Sequence, residues 1–394
     1  MIANPTPADR PRRGVPPWRD VRLLRIAAQI AVVTLVLFVG WLLWTTLSAN
    51  MAASRLTFGL GFLDQTAGFE IAHKAIPFSA TDTFARAFAV GLLNTLLVSI
   101  SGIVLATLLG LVVGVARLSR NWLANRIASG YVEVMRNTPL LVQLILLYVF
   151  LLQLPSVANA IQLPGSIFLS QRGLFLPRPE AESTFAIWGL LLIVGVAVAL
   201  VCGRLAARRE SAGRPTRGLR ALGIVILLGI PVVGWLVLNP VRFTPPTLER
   251  FNFVGGVSLS PEFTALLFGL VIYTAAFIGE VVRGSIQAVR RGQVEAAYAI
   301  GLTPGQTLRL IVFPQALRIM VPPLTSQYLN LAKNSSLAVA IGFSDLFSVS
   351  RTMANLTGQP LSVIVLVMAT YLAISLFTSL VMNIYNRRVQ VLER

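Results

Sequence analysis

An all-helical integral membrane protein with about eight spans is the fold this sequence predicts, and three observations predict it. The 394-residue chain is 55% apolar and only 12% charged, about half the charge fraction of a soluble domain. Several uncharged runs exceed the ~20 residues that cross a bilayer as a helix, and the mean hydropathy is +0.76. The net charge of +18 is clustered: 23 of the 33 basic residues fall in segments 10–25, 117–126, 204–220, 283–318 and 387–394. With eight spans all five segments lie on one side, which the positive-inside rule makes the cytoplasm. That placement argues against nucleic acid as the partner of the charge. The lone Cys202 excludes a disulfide framework and Cys-based metal sites, and the lone His73 excludes paired-His zinc motifs, so no metal site is expected.

The elements follow in order. A basic, Pro-rich cytoplasmic tail, 1–25, precedes a first span at 26–47, whose 22 uncharged residues and terminal Trp41 and Trp44 read as a retained helix rather than a signal peptide. Residues 48–86 read as an outer loop in which His73 is solvated. The second span, within 87–116, carries Gly91, Gly102, Gly110 and Gly114 at spacings that suit close helix packing. An amphipathic helix, 121–137, lies on the cytoplasmic surface, with Glu133 and Arg136 spaced as an i,i+3 pair. The third span begins at Thr138-Pro139, Pro suiting a first helical turn, and closes a unit spanning 87–154. Residues 155–262 form an insertion: an outer loop at 155–182, spans at 183–203 and 221–238 joined by a basic stretch, and a second outer loop at 239–262 punctuated by Pro240, Pro245 and Pro246. The remaining unit, 263–388, holds a sixth span at 263–282, a polar break, a seventh span at 319–340 and an eighth at 361–384. A short cytoplasmic tail, 389–394, closes the chain, leaving both termini inside. There is no repeat of fixed period and no inverted repeat of the kind found in many secondary transporters.

The polar break, 291–314, is the most informative segment. Gly292 is read as the stop of the long sixth helix. Residues 293–300 then form a short Ala-rich helix that Gly301 closes in the left-handed conformation. Thr303 caps a second short helix with Pro304 in its first turn and Gln306 three residues after the cap, a capping box. Pro314, lacking an N–H, stops that helix. Glu295 either pairs with a basic group on a partner or favours the helix N-terminus through the dipole. Ala296, Ala297 and Ala299 let a partner approach closely. Such a loop can fill a groove but cannot perform acid–base chemistry.

With these residues in view, a resemblance becomes specific. Glu295-Ala296-Ala297, Gly301 and Pro314 resemble the "EAA" coupling loop of ABC-importer permeases. Glu280-Val-Val-Arg283-Gly284, Leu331-Ala-Lys333-Asn334-Ser335-Ser336-Leu337 and Met135-Arg136-Asn137-Thr138-Pro139-Leu140-Leu141-Val142-Gln143 are similar to the polar amino acid branch of that family. The resemblance covers residues 87–153 and 263–388. The length and the 155–262 insertion resemble the larger permease subunit of general L-amino-acid importers. It implies a type I importer core of five helices plus an N-terminal helix and an inserted pair. It also implies a bacterial inner membrane location, a cytoplasmic ABC ATPase dimer docked on the loop, a second and different permease chain, and a periplasmic amino-acid-binding protein. ATP and Mg would reside on the ATPase, and no cofactor on this chain. The only lysines, Lys74 and Lys333, do not follow Gly, so the chain holds no Walker A loop of its own.

Two polar faces are candidates for the transport pathway. Gln327, Asn330 and Lys333 or Asn334 share one face of the seventh span, and a membrane lysine costs ~2.5–3.5 kcal/mol on insertion scales, so this face is expected to point into the protein. It either meets a substrate carboxylate or serves a structural ion pair. Tyr273 and Glu280 share a face of the sixth span, where Glu280 either meets a substrate ammonium or pairs with Arg283 at i+3. Two rival functions are weaker. An ion-coupled secondary amino acid transporter needs midplane acids or paired broken helices, and a membrane enzyme needs a convergent set of acids, His or Cys near one interface.

Overall fold

The computed structural model describes residues 21–53, 59–211, 215–250 and 252–389. The tails read at 1–25 and 389–394 therefore fall outside the described residues up to 20 and from 390. The first helix, α1 (Val21–Ala53), is longer than the predicted span, and its apolar stretch Leu23–Thr46 has no buried residue. Counting each sharply bent helix pair as one crossing, the described residues hold eight candidate spans.

The centre of the molecule is the pair α2 (Phe84–Ala116) and α7 (Pro261–Gln287). Glycines bring the two backbones together. A Cβ on Gly110 would lie 2.5 Å from Ile278 Cγ2, and one on Gly114 would lie 2.7 Å from Val282 Cβ and 2.8 Å from the Gly279 carbonyl oxygen. These positions pack helices, as their spacing predicts. Helix α7 starts cleanly: the Ser260 hydroxyl accepts from Phe263 N–H at 3.2 Å, and Pro261 occupies the first turn.

Residues 59–83 are not a loose loop. A 3₁₀ turn at Gly61–Asp64 leads into an apolar plug in which Phe62, Ile71, Phe78 and Phe84 pack with Val349, Met353 and Val363. His73 is half-buried and not simply solvated. Its ring lies 5.1 Å from both Phe263 and Phe343. The phenyl groups that make this plug are scattered among polar residues, which is why sequence patterning reads the segment as a loop.

Helices α3 (Trp122–Asn137) and α4 (Leu140–Leu152) meet at a bend of 106°. The 13 residues of α4 extend about 20 Å, short of the ~30 Å hydrocarbon core, so the third crossing is the bent pair. Helix α3 is correspondingly packed into the bundle and not merely laid on a surface: Ala128 and Val132 are buried, and the Tyr131 hydroxyl donates to the Ile272 carbonyl at 2.5 Å.

The insertion contains α5 (Phe185–Ser211) and α6 (Arg217–Leu238), packed on each other, with Trp188 over Gly234 and its indole N–H donating to the Pro231 carbonyl at 3.1 Å. Its two outer loops are β-structured, a feature the sequence reading does not contain. Strands β1 (Ile161–Leu163), β2 (Ile167–Ser170), β3 (Gly173–Leu176), β4 (Arg178–Ala181), β5 (Val241–Thr244), β6 (Thr247–Glu249), β7 (Asn252–Val254) and β8 (Val257–Leu259) form antiparallel ribbons. The order β1-β2-β3-β8 and the pair β4-β5 tie the first loop to the second. Phe168 and Phe175 close over Phe253 at 4.7 Å each. The insertion is thus one unit, a helix pair with a shared β cap.

Candidate functional site

At the opposite end from the β cap, α7 ends at Gln287, and α8 (Arg291–Ala299) begins before the predicted position. Gly292 is therefore not a helix stop; it lies in the first turn of α8, and the chain turns at 288–290 instead. The earlier start moves Glu295 into the second turn, beyond the reach of the N-terminal dipole, which removes the dipole reading. Glu295 is exposed and forms no ion pair among the described residues. Ala297 is 3% exposed, anchoring α8 on its own chain, so only Ala296 and Ala299 of the three alanines face outward. Tyr298 and Ile300 are exposed apolar groups beside them, Ile300 at 76%.

Gly301 takes φ +83°. Its N–H donates to the Tyr298 carbonyl at 2.9 Å, and the Leu302 N–H donates to the Ala297 carbonyl at 3.1 Å. These are the two bonds of a Schellman cap. Thr303 and Gln306 form the expected capping box: the Thr303 N–H donates to Gln306 Oε1 at 2.9 Å, and the Gln306 N–H to Thr303 Oγ1 at 3.4 Å. The short α9 (Pro304–Thr307) does not stop at Pro314. It runs through a π-helical turn, Leu308–Val312, directly into α10 (Phe313–Asn334). The i→i−5 bond from Phe313 N–H to the Leu308 carbonyl widens the helix just before the proline. This accommodates the missing donor and the ring that would otherwise clash four residues back. Between α7 and α8, a groove of about 650 Å³ is lined by Ile286, Gln287, Val289, Arg291, Val294 and Glu295.

The polar face of α10 is not buried in this chain. Asn330 and Lys333 are exposed, Gln327 and Asn334 are half-buried, and Lys333 forms no ion pair among the described residues. The adjacent Tyr328 holds α10 to α2, its hydroxyl 3.0 Å from Thr107 Oγ1. On α7, Glu280 accepts from Arg283 Nε at 3.2 Å, as the spacing predicts, and also pairs with Arg117, which the sequence reading did not join to it. The Tyr273 ring lies against Phe277, with centroids 4.9 Å apart and the planes tilted by 50°. The Glu133–Arg136 pair does not form; Arg136 lies 5.3 Å over the Phe277 ring. The result is a cleft of about 410 Å³ lined by Arg117, Ser129, Glu133, Arg136, Asn137 and Phe277. It offers both charges and an aromatic floor, chemistry that suits a zwitterion. The helical period placing Ser129, Glu133 and Arg136 on one face of α3 is the signal that could have found it.

The structure thus places Glu280, paired with Arg117, and Tyr273, against Phe277, beside this cleft, leaves Lys333 exposed on α10, and leaves 291–314 protruding. Residues 102–391 match the family described as "Binding-protein-dependent transport system inner membrane component". The chain is 43% identical over 368 residues to the general L-amino acid transport system permease protein AapQ of Rhizobium johnstonii, covering 92% of each chain. It is 43% identical to the putative amino-acid ABC transporter permease protein YhdX of Escherichia coli, covering 93% of each. It is 40% identical to the glutamate/glutamine/aspartate/asparagine transport system permease protein BztB of Rhodobacter capsulatus, covering 95% of this chain and 96% of that one. A solved amino acid ABC transporter with histidines aligns over 77% of this chain and 95% of its own at 22% identity, TM-score 0.47. With its matched region running from the middle of α2 to residue 391, this protein belongs to the family of binding-protein-dependent transport system inner membrane components.

Proposed function

We propose that the chain is the amino-acid-conducting permease subunit of an ATP-driven importer, with broad specificity for L-amino acids. The observation that carries this reading is the protruding 291–314 element. It is a doubly capped helix pair whose outward surface sets the Glu295 carboxylate beside small and apolar side chains, while its inner surface is anchored by Ala297. Such a surface suits insertion into a cleft of a cytoplasmic ATPase dimer, which would hold ATP and Mg. Glu295, Ala296, Gly301, Thr303, Pro304, Gln306 and Pro314 then act together: Glu295 and Ala296 by contact, the others by fixing the angle of the pair.

In this reading the 291–314 face is cytoplasmic, both termini lie inside, and the β cap faces the periplasm. A periplasmic binding protein delivers the amino acid there. The exposed Lys333 face meets a second, different permease chain across the pathway, since a lysine turned to lipid would cost ~2.5–3.5 kcal/mol. Gln327, Asn330 and Asn334 extend that face. The cleft at Arg117, Arg136 and Phe277, with Tyr273 and Glu280 beside it, supplies opposite charges for the carboxylate and ammonium of an amino acid. Helices α1, α5 and α6 present apolar surface to membrane lipid. Co-purification of the tagged chain tests the proposal: an ATPase should be recovered, and Cys substitutions at Ile300 and Tyr298 should cross-link to it. A stable complex lacking any ATPase would overturn it. Transport by this chain alone on an ion gradient would favour the secondary-transporter alternative.

A further inference from the structure

The turn between α10 and α11 (Leu346–Thr357) contains a buried carboxylate that the transport reading does not use. Asp345 is fully buried and forms no ion pair among the described residues. One carboxylate oxygen, Oδ1, caps α11 by accepting from Ser348 N–H at 2.8 Å. The other, Oδ2, is buried and makes no hydrogen bond. Beside it lies the hydroxyl of Tyr371, on α12 (Pro360–Val389), and that hydroxyl is also near Thr95 of α2 and Ser335 of the 3₁₀ turn that follows α10. The Tyr371 hydroxyl is itself buried without a bond, as is Ser99 Oγ, one helical turn from Thr95. Oxygens from four elements therefore gather around Asp345, with the Tyr371 hydroxyl set between the carboxylate, Thr95 and Ser335.

The surroundings hold this gap open. Asn94 donates to the Ser344 carbonyl at 2.8 Å and to the His73 carbonyl at 2.8 Å, and Thr95 Oγ1 accepts from Leu346 N–H at 2.9 Å. Asp345 is thus clamped on both sides and cannot swing to a distant partner. Its capping bond and position at the N-terminus of a 12-residue helix favour the ionised form, burial opposes it, and a carboxylate kept ionised at such a site requires a counter-charge. Arg351 lines the groove between α11 and α12 and forms no ion pair. Oxygen-only ligands with one negative charge suit a hard cation of single charge.

We propose that Asp345 Oδ2, with the hydroxyls of Tyr371, Thr95 and Ser335, binds a monovalent cation, sodium in the first instance, that locks the α10–α11 turn to α2 and α12. The test uses the intact importer in nanodiscs, melted in NaCl, KCl or choline chloride at equal ionic strength, with radioactive sodium binding measured in parallel. Sodium should raise the melting temperature saturably and bind at one site per chain. Asp345→Asn should abolish both effects. Tyr371→Phe, which leaves the α11 cap intact, should weaken sodium binding at least tenfold and covers the case where Asp345→Asn fails to fold. Identical melting in all three salts overturns the proposal. So does stabilisation by acidification alone, the signature of a neutral carboxyl or a bound water.

Discussion

Gly301 gives the sharpest test of how the protruding helix pair works. It sits at φ +83°, and a Cβ built there meets nothing within 4 Å. Substitution therefore creates no clash, and the whole effect comes from the backbone. Holding an L-residue in the left-handed region costs about 1–2 kcal/mol, and a β-branched side chain costs more. The chain can keep the turn and accept that strain, or relax and lose the bonds from Gly301 N–H and Leu302 N–H to the end of α8. Relaxation changes the angle between α8 and α9. A shift of one to two kcal/mol changes the ratio of the two forms by roughly 5–30-fold. Gly301→Val should therefore insert and assemble normally while losing most ATP-driven uptake in proteoliposomes containing the full importer. Gly301→Asn, a residue that visits this region more readily, should retain most of it. The ATPase rate with and without loaded binding protein separates coupling from assembly. Wild-type uptake in Gly301→Val would refute the argument, as would equal loss in the Val and Asn variants.

Other outcomes follow from the packing. Glu280→Gln should strand Arg117 and Arg283 and cost on the order of 3 kcal/mol, the low end for a broken buried pair because both partners are partly exposed. Melting the purified protein checks this, and Arg117→Gln combined with Glu280→Gln should be less destabilising than the sum of the single changes. Gly114→Ala should cost about 1–3 kcal/mol through overpacking, since the new methyl meets Val282 and the Gly279 carbonyl; an unchanged melting temperature would contradict the α2–α7 contact. Burial holds the His73 pKa below its ordinary 6.5, with Glu262 opposing. The folded state therefore favours neutral His73, and its contribution is complete above about pH 6.5 and declines as pH falls through that value toward the lower folded pKa. His73→Phe should flatten the melting temperature between pH 7.5 and 5 relative to the wild type. Lys333→Met should leave melting nearly unchanged while lowering uptake of anionic and neutral amino acids; unaffected uptake would remove Lys333 from the pathway.

Much of the architecture is legible in the sequence because the signals are local. The Thr303 capping box depends on residues three apart, and the long apolar runs predict the spans. Errors arise where a residue has two structural uses. Gly292 can stop a helix or sit in its first turn, and the sequence cannot choose without knowing that 288–290 already make the turn. Pro314 ends an ordinary helix, but the π-helical turn before it makes room. The β cap is missed because its strands are three or four residues long and pair across the insertion, Leu174 with Leu259 for example. The candidate cleft is only half legible: the α3 face can be read by period, but the pairing of Arg117 with Glu280 joins residues 163 apart. The spacing puts Gln327, Asn330 and Lys333 or Asn334 on one helix face, but the expectation that this face points into the chain fails, since Asn330 and Lys333 are exposed.

Continuity of the helix through Pro314 changes how the protruding pair and the Lys333 face are related. With a helix stop there, the protruding pair would be a separate module tethered to the membrane core, and its displacement would be lost in the tether. Instead, Thr303 caps a helix that continues from Pro304 to Asn334, so Glu295 lies next to one end of a rod whose other end carries Asn330 and Lys333. The 30 residues from Pro304 to Lys333 span roughly 45 Å. A helix of that length transmits a tilt without side-chain relays along its path. Its weak points are where backbone donors are missing, at Pro314 and at Pro322-Pro323. The first is accommodated by the π-helical turn, and the second lies between the protruding pair and the polar face. Movement at 291–314 can therefore reach the Lys333 face through one backbone, with the Pro322-Pro323 step as the place where it would bend.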